Sequence, residues 1–333
     1  CPYYAGLESL RHQVARRYAE LGCRMPQDEV VITNGCTEAI NLALDAVARP
    51  GDTIAIESPC YYGFLQIFQK RGLKALEIAT HPRDGLSVDA LEEALGSRAG
   101  RSVKAVLVSP SFSNPTGACM PEAARRRLVQ LCSRLGLALI EDDVYGDLHH
   151  GGNRPLPAKA YDRDGLVLHC GSFAKCLAPG YRIGWAAPGR YARQLTRLKF
   201  SASISSNVLA QEVLARYLGE GGYEHHLRRL RHALQAQQNQ MLRAVGEYFP
   251  PGTRVSRPRG GYFLWAELPP QVDTLELHRR ALEHGIGSAP GPMFSARGPA
   301  GFGNCLRLNY GHPWSDEIET AVRTLGQLAT EQA

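Results

Sequence analysis

The feature that most constrains the fold is an alternation that begins near residue 29, where short runs rich in β-branched residues are separated by stretches of helical length. A strand, a helix and a second strand in succession form a crossover unit, and repeats of that unit build a mostly parallel sheet covered by helices. Residues 29–33, 53–57, 74–78, 103–108, 137–142 and 166–170 read as strands, and 181–187 as one more. Helices fall between them, for example 37–48, which opens at Gly35-Cys36-Thr37 and closes before Pro50-Gly51. A polar, Arg-rich segment over 206–248 reads as mainly helical, broken at 219–222 by Gly-Glu-Gly-Gly. Strand 262–268, helix 275–283, strands 286–289 and 304–310 and a helix from Asp316 complete an α+β tail. The expected organisation is an α/β large domain over 1–221, with a mostly parallel mixed sheet flanked by helices, and a small C-terminal α+β domain over 222–333. A chain of 333 residues exceeds what one core usually holds, which agrees with two lobes.

Composition excludes classes without choosing one. The net charge of +6 comes from arginine, since the chain has few lysines, and it is spread along the chain instead of forming a basic block. Nine cysteines without a C-x-x-C pair or zinc spacing fit a reduced, cytoplasmic protein. No apolar run has membrane-spanning length, and no signal peptide is evident. The chain begins at Cys1, in what reads as a turn before a helix, and an upstream segment is expected to be missing.

In parallel α/β sheets, ligands bind beyond the carboxyl ends of the strands. Three apolar runs here end in polar residues: 137–140 in Glu141-Asp142-Asp143, 106–108 in Ser109 and then Asn114-Pro115-Thr116-Gly117, and 166–168 in Ser172-Phe173-Ala174-Lys175. They offer an acid, an amide and a lysine. A lysine forms a Schiff base with an aldehyde, an acid keeps a pyridine nitrogen protonated, and hydroxyls or arginine hold a phosphate. Pyridoxal 5'-phosphate has all three handles, and Gly35-Cys36-Thr37 at a helix start adds a place for its phosphate.

These motifs, with Asp142-Asp143-Val144-Tyr145 and the later Arg182, come in an order and spacing that resemble fold-type-I pyridoxal-phosphate enzymes of aminotransferase class I and II over essentially the whole chain. The resemblance implies that Lys175 forms the internal aldimine and shuttles the substrate Cα proton. It implies that Asp142 pairs with the pyridine nitrogen, that Asn114 and Tyr145 hydrogen-bond the phenolic oxygen, and that Tyr61 stacks on the ring. Ser172, Arg182, Gly35, Cys36 and Thr37 would hold the phosphate, although relatives often carry a hydroxyl where Cys36 stands. Arg307, on the polar face of an alternating strand with Cys305 and Asn309, would bind the substrate carboxylate, with Asn114 also facing the substrate. A tyrosine near the start, Tyr3 or Tyr4, would reach the neighbouring subunit's phosphate. The partners implied are an amino acid, a 2-oxo acid and a second copy of the chain. Segments 34–39, 177–182 and 221–231 further resemble the aminotransferase-like half of MocR-type regulators of the GntR family, in which DNA is bound by an N-terminal winged helix-turn-helix, and DNA would be a partner only through such a domain upstream of Cys1.

Plainer readings stand beside these. Asp142 and Asp143 with Asp147 form a carboxylate cluster, but no nucleotide loop accompanies it and no metal is expected. Ser172-x-x-Lys175 is also the nucleophile motif of penicillin-binding proteins, yet no Lys-Thr-Gly or Ser-Asp-Asn follows. Tyr61 could be core and Arg307 a structural arginine. Cys36, Cys60, Cys119 and Cys176 read as core filling, and the pairs His149-His150 and His225-His226 as solvated.

Overall fold

The structure, a computed structural model, describes residues 4–333. Cys1 and Tyr3 therefore lie outside the described residues. In chain order the elements are α1 (Glu8–Glu20), β1 (Val31–Thr33), α2 (Cys36–Val47), β2 (Thr53–Ser58), α3 (Tyr62–Arg71), β3 (Lys74–His81), β4 (Gly85–Leu86), α4 (Val88–Gly96), β5 (Val103–Val108) and α5 (Glu122–Leu135). Then follow β6 (Ala138–Asp142), β7 (Val167–Ser172), β8 (Gly184–Ala187), α6 (Ala192–Ser203), α7 (Val208–Gly219), α8 (Gly222–Tyr248), β9 (Arg254–Val255), β10 (Phe263–Glu267), α9 (Thr274–Glu283), β11 (Ala289–Pro290), β12 (Cys305–Asn309) and α10 (Asp316–Thr330).

The large sheet has the order β1-β8-β7-β6-β5-β2-β3-β4. Its centre, from β7 through β6, β5 and β2 to β3, is parallel, while β1, β8 and β4 join antiparallel. Successive residues of a strand serve opposite faces. Val106, Val108 and Leu139 pack with Leu91 and Leu128 from α4 and α5. Leu107, Ile140 and Leu168 pack with Ala39 and Ala43 of α2 on the other side. Both faces are thus apolar, which is why these strands read as continuous hydrophobic runs.

The small sheet, β11-β12-β10-β9, is antiparallel throughout. Leu306, Leu308 and Tyr310 join the main core with Leu264, while Cys305 packs with Trp265 and Phe294 on the opposite face. The expected alternation of this strand holds.

Boundaries differ where turns intervene. Residues 27–29 form a single 3₁₀ turn after Pro26, so β1 starts at Val31. A 3₁₀ turn over Pro179–Tyr181 and a left-handed Arg182 (φ +52°) delay β8 to Gly184. The strand expected at 286–289 shrinks to two residues because the Ile286 N–H closes α9 onto Ala281 O at 2.9 Å. The two-residue strands β4 and β9 were not expected from the sequence. The helical segment over 206–248 divides into α7 and α8 at the glycine break.

Among the described residues no helix is long and apolar enough to cross a membrane. A different apolar surface is present: Phe200, Ile204, Val208, Leu209 and Val213, on α6, α7 and their connection, are exposed, Leu209 by 74%.

Candidate active site

Apart from Gly35, every residue expected to form this chain's own site lines one cavity of about 730 Å³ at the carboxyl ends of β5, β6 and β7, and Gly35 directly precedes the lining residue Cys36. The strand-end rule therefore brings together segments more than 200 residues apart.

Asp142 ends β6 and is buried. Its carboxylate accepts from the Val144 N–H at 3.3 Å and from the Cys36 thiol at 3.5 Å. Burial outweighs these bonds and pushes its pKa up to about 6. It is the one carboxylate among the described residues that line the cavity. The Cys36 side chain turns to Asp142, while its backbone N–H stands at the start of α2 without a side-chain cap. Burial also raises the Cys36 thiol well above its ordinary value.

Lys175 follows β7 and projects into the open cavity, with no ion pair among the described residues. Desolvation lowers its pKa, Asp142 pulls it up, and the charges of Arg182 and Arg307 push it further down. Arg182 has no carboxylate partner among the described residues; its guanidinium makes two long contacts, both 3.4 Å, to the carbonyls of Pro179 and Asn34. It lies over the N-terminus of α2 so closely that a Cβ at Gly35 would sit 2.6 Å from Nη2. Gly35 also has φ +81°, so position 35 requires glycine for two reasons. No side chain caps α2, and its free N–H groups meet Arg182 and the exposed Thr37 there. The Ser172 hydroxyl, as placed by its surroundings, donates to Ile183 O at 3.0 Å and accepts from the Ala174 N–H at 3.1 Å.

On the small-sheet side, Arg307 donates to Asn114 Oδ1 at 3.2 Å, while its Nε–H is buried without a partner. The guanidinium carbon stands 4.5 Å from the Phe263 ring centre and 5.4 Å from that of Phe294. Flat packing on aromatic rings leaves the guanidinium edge for a planar anion. Tyr145 is buried against Tyr262 and Phe263 in edge contacts of 5.4 and 5.8 Å, and Tyr61 meets Tyr62 at 4.8 Å. Tyr62, Tyr262 and Phe263 line the cavity but were not singled out from sequence as site residues.

Tyr4, described in the structure, packs edge-on against Phe200 at 4.6 Å, outside the lining of its own chain's cavity. The expectation that both histidine pairs are solvated needs correction. His149 is buried, its ring bonded to Gly151 O at 3.0 Å, and the His226 ring donates to Cys176 O at 2.9 Å, so neither pair is wholly solvated. Asp143 and Asp147 face Arg154, at 2.5 and 2.7 Å, and leave Asp142 alone in the cavity.

A phosphorylated pyridine aldehyde fits this donor set. Arg182 and an uncapped helix start suit a phosphate, buried Asp142 suits a cationic ring nitrogen, and Lys175 suits the aldehyde; the orphaned Arg307 Nε–H suits a carboxylate beyond them. The chain belongs to the family described as aminotransferase class I and II, whose profile matches residues 1–325, and it has the fold-type-I architecture of pyridoxal-phosphate enzymes. It is 42% identical to an uncharacterized HTH-type transcriptional regulator, YdcR, of Escherichia coli K12 over 327 residues, 98% of this chain and 69% of that protein. It is 34% identical to aromatic-amino-acid aminotransferase 1 of Thermococcus litoralis over 308 residues, 91% of this chain and 73% of the other. The crystal structure of Pyrococcus horikoshii kynurenine aminotransferase superposes with a TM-score of 0.92 at 32% identity, covering 99% of this chain and 81% of that one.

Proposed function

We propose that this aminotransferase moves the amino group of an amino acid to a 2-oxo acid, with Lys175 as the residue that carries pyridoxal phosphate and moves the proton at the substrate Cα. The observation that carries the reading is the juxtaposition, in one cavity, of a lysine with a lowered pKa, a single buried carboxylate and two arginines that have no carboxylate partner among the described residues. When bound, the cofactor supplies an electron sink for negative charge at Cα.

The chain's own groups do the rest. The N–H groups at Gly35-Cys36-Thr37 and the Arg182 guanidinium would hold the phosphate, with Ser172 holding the Arg182 side of the turn through Ile183. Asp142 would hold the ring nitrogen, Asn114 and Tyr145 the phenolic oxygen, and Tyr61 one face of the ring. Arg307 would take the substrate carboxylate in a two-pronged bond, assisted by Asn114. A lowered lysine pKa leaves more neutral amine available as a base near neutral pH.

The same reading extends to setting and assembly. The eight described cysteines are all free, which supports a reducing, cytoplasmic location. The exposed apolar strip on α6 and α7 supports a homodimer. The glycine break at 219–222 supports a division into a large domain ending at 221 and a small one starting at 222.

A second reading is favoured by the regulator of 42% identity: the chain would be the amino-acid-sensing part of a MocR-type regulator that reaches DNA through a separate N-terminal domain. One experiment addresses both. Purified protein with added cofactor should show a visible absorption band that is lost in Lys175→Ala, and an unchanged band in that variant overturns the assignment of Lys175. Appearance of a new amino acid from an added 2-oxo acid then separates turnover from sensing.

A further inference from the structure

The segment Gly221–Arg231, noticed in the sequence for its resemblance to regulators, contributes nothing to the cavity wall. It nevertheless grips the residue next to the lysine. The Tyr223 hydroxyl lies 2.8 Å from the Cys176 thiol, and the His226 ring lies 2.9 Å from the Cys176 carbonyl. The Tyr223 ring also stands edge-on to Phe173 at 5.7 Å. Cys176 is thus held by side chain and backbone from one turn of α8, directly after a lysine whose own side chain has no ion-pair partner among the described residues.

The direction of these bonds follows from Asp147. Burial pushes its pKa up, but the Arg154 and Arg17 charges outweigh burial and hold it below the ordinary carboxylate range. An ionised carboxylate only accepts, so Tyr223, 3.0 Å away, must donate to it. The phenol oxygen is then left to accept from the Cys176 thiol, which burial keeps protonated by raising its pKa to about 12. Arg17 of α1 closes the arrangement: it pairs with Asp147 at 3.3 Å and with Glu224, and its guanidinium lies 4.3 Å from the Tyr223 ring centre. Arg231 donates to Asp147 O at 2.6 Å.

We propose that Tyr223 and His226 are positioning residues for Lys175, which fix the Cys176 peptide from α8 and tie the lysine's placement to α1 through Asp147 and Arg17. The proposal rests on Lys175 being the cofactor's residue. Because α8 runs unbroken from Tyr223 to Gln238, whose amide donates to the Tyr310 hydroxyl at 3.3 Å just after β12 of the small sheet, the helix that reaches this sheet also grips the lysine turn. A shift of that sheet as Arg307 takes a carboxylate would therefore be felt at Lys175.

The test uses the full chain with Tyr223→Phe, His226→Ala and His226→Gln, each checked for native thermal unfolding. Three quantities are read: maleimide labelling of Cys176 in cofactor-free protein, the rate of cofactor release, and the pH profile of the visible band. Tyr223→Phe should label Cys176 faster and release cofactor roughly tenfold faster, the factor equal to about 1.4 kcal/mol, near the worth of one hydrogen bond. His226→Ala should do likewise in release, and His226→Gln, whose amide N–H reaches the same carbonyl, should restore it. Wild-type labelling, release and pH profile in Tyr223→Phe and His226→Ala would overturn the clamp while leaving the Lys175 assignment intact. If wild-type protein binds no cofactor, that assignment falls, and the labelling of cofactor-free protein still decides whether the clamp holds the turn. Should Tyr223→Phe not fold, the two His226 variants decide the matter.

Discussion

The two sides of the β6 and β7 strand ends form a contrast. On the cavity side stand Lys70, Lys175, Arg182 and Arg307, four cations against the single carboxylate of Asp142. On the far side, Arg154 pairs with Asp143 and Asp147, Arg17 pairs with Asp147 and Glu224, and His169 lies between Glu141 at 2.9 Å and the Tyr18 hydroxyl at 2.8 Å. Adjacent residues at the end of β6 thus serve opposite sides: Asp143, just past the strand, belongs to a closed network, and Asp142 to an open one. Buried charge is costly unless it is paired. The paired side is consistent with holding the framework, and the unpaired side with waiting for a ligand that brings its own charge.

The largest effect that would test this contrast is on chemistry. Lys175→Ala should lower the rate of amino-group transfer at least about 10³-fold with little loss of stability, measured by single-turnover kinetics and denaturant unfolding. A comparably unstable Lys175→Ala protein would erase the distinction between the two sides. Next, Arg154→Ala strands the buried carboxylate of Asp143, leaves Asp147 to Arg17 alone, and should cost about 3–5 kcal/mol in denaturant unfolding. Arg307→Ala, on the open side, should cost far less stability in the same assay.

A third test uses pH. Asp142 has a folded-state pKa of about 6, above its ordinary value, so the folded chain holds that proton more tightly than the unfolded chain does. Its contribution to stability is present below pH 4 and is lost as pH rises through 6, by up to about 2–3 kcal/mol. The stability of cofactor-free wild-type protein minus that of Asp142→Asn should therefore fall across this window, and a flat difference would contradict a desolvated Asp142. Smallest, Arg307→Lys keeps the charge but loses the fork, and should raise the substrate KM roughly tenfold with a smaller change in kcat, seen in steady-state kinetics.

Much of the open side was legible in the sequence. Strand ends flagged Asp142, Asn114 and Lys175, and the alternation in 304–310 placed Arg307 correctly, because each rests on local periodicity. The closed side was not legible. Arg17, Tyr223, His226 and Arg154 meet through contacts between residues far apart in the chain, and nothing local marks a histidine as bonded and not solvated. The Cys36 thiol contact was hidden for a related reason: nothing local says that this side chain meets the carboxylate of Asp142 across 106 residues. The β8 boundary slipped because Arg182 adopts a left-handed conformation that its residue type does not advertise.

The exposed strip of Phe200, Ile204, Val208, Leu209 and Val213 has a practical consequence for handling the protein. If a second chain covers it, dilution uncovers it, so the unfolding midpoint and the specific activity should both climb with protein concentration. Very dilute samples would then lose material to vessel walls and aggregates before they lose any catalytic group.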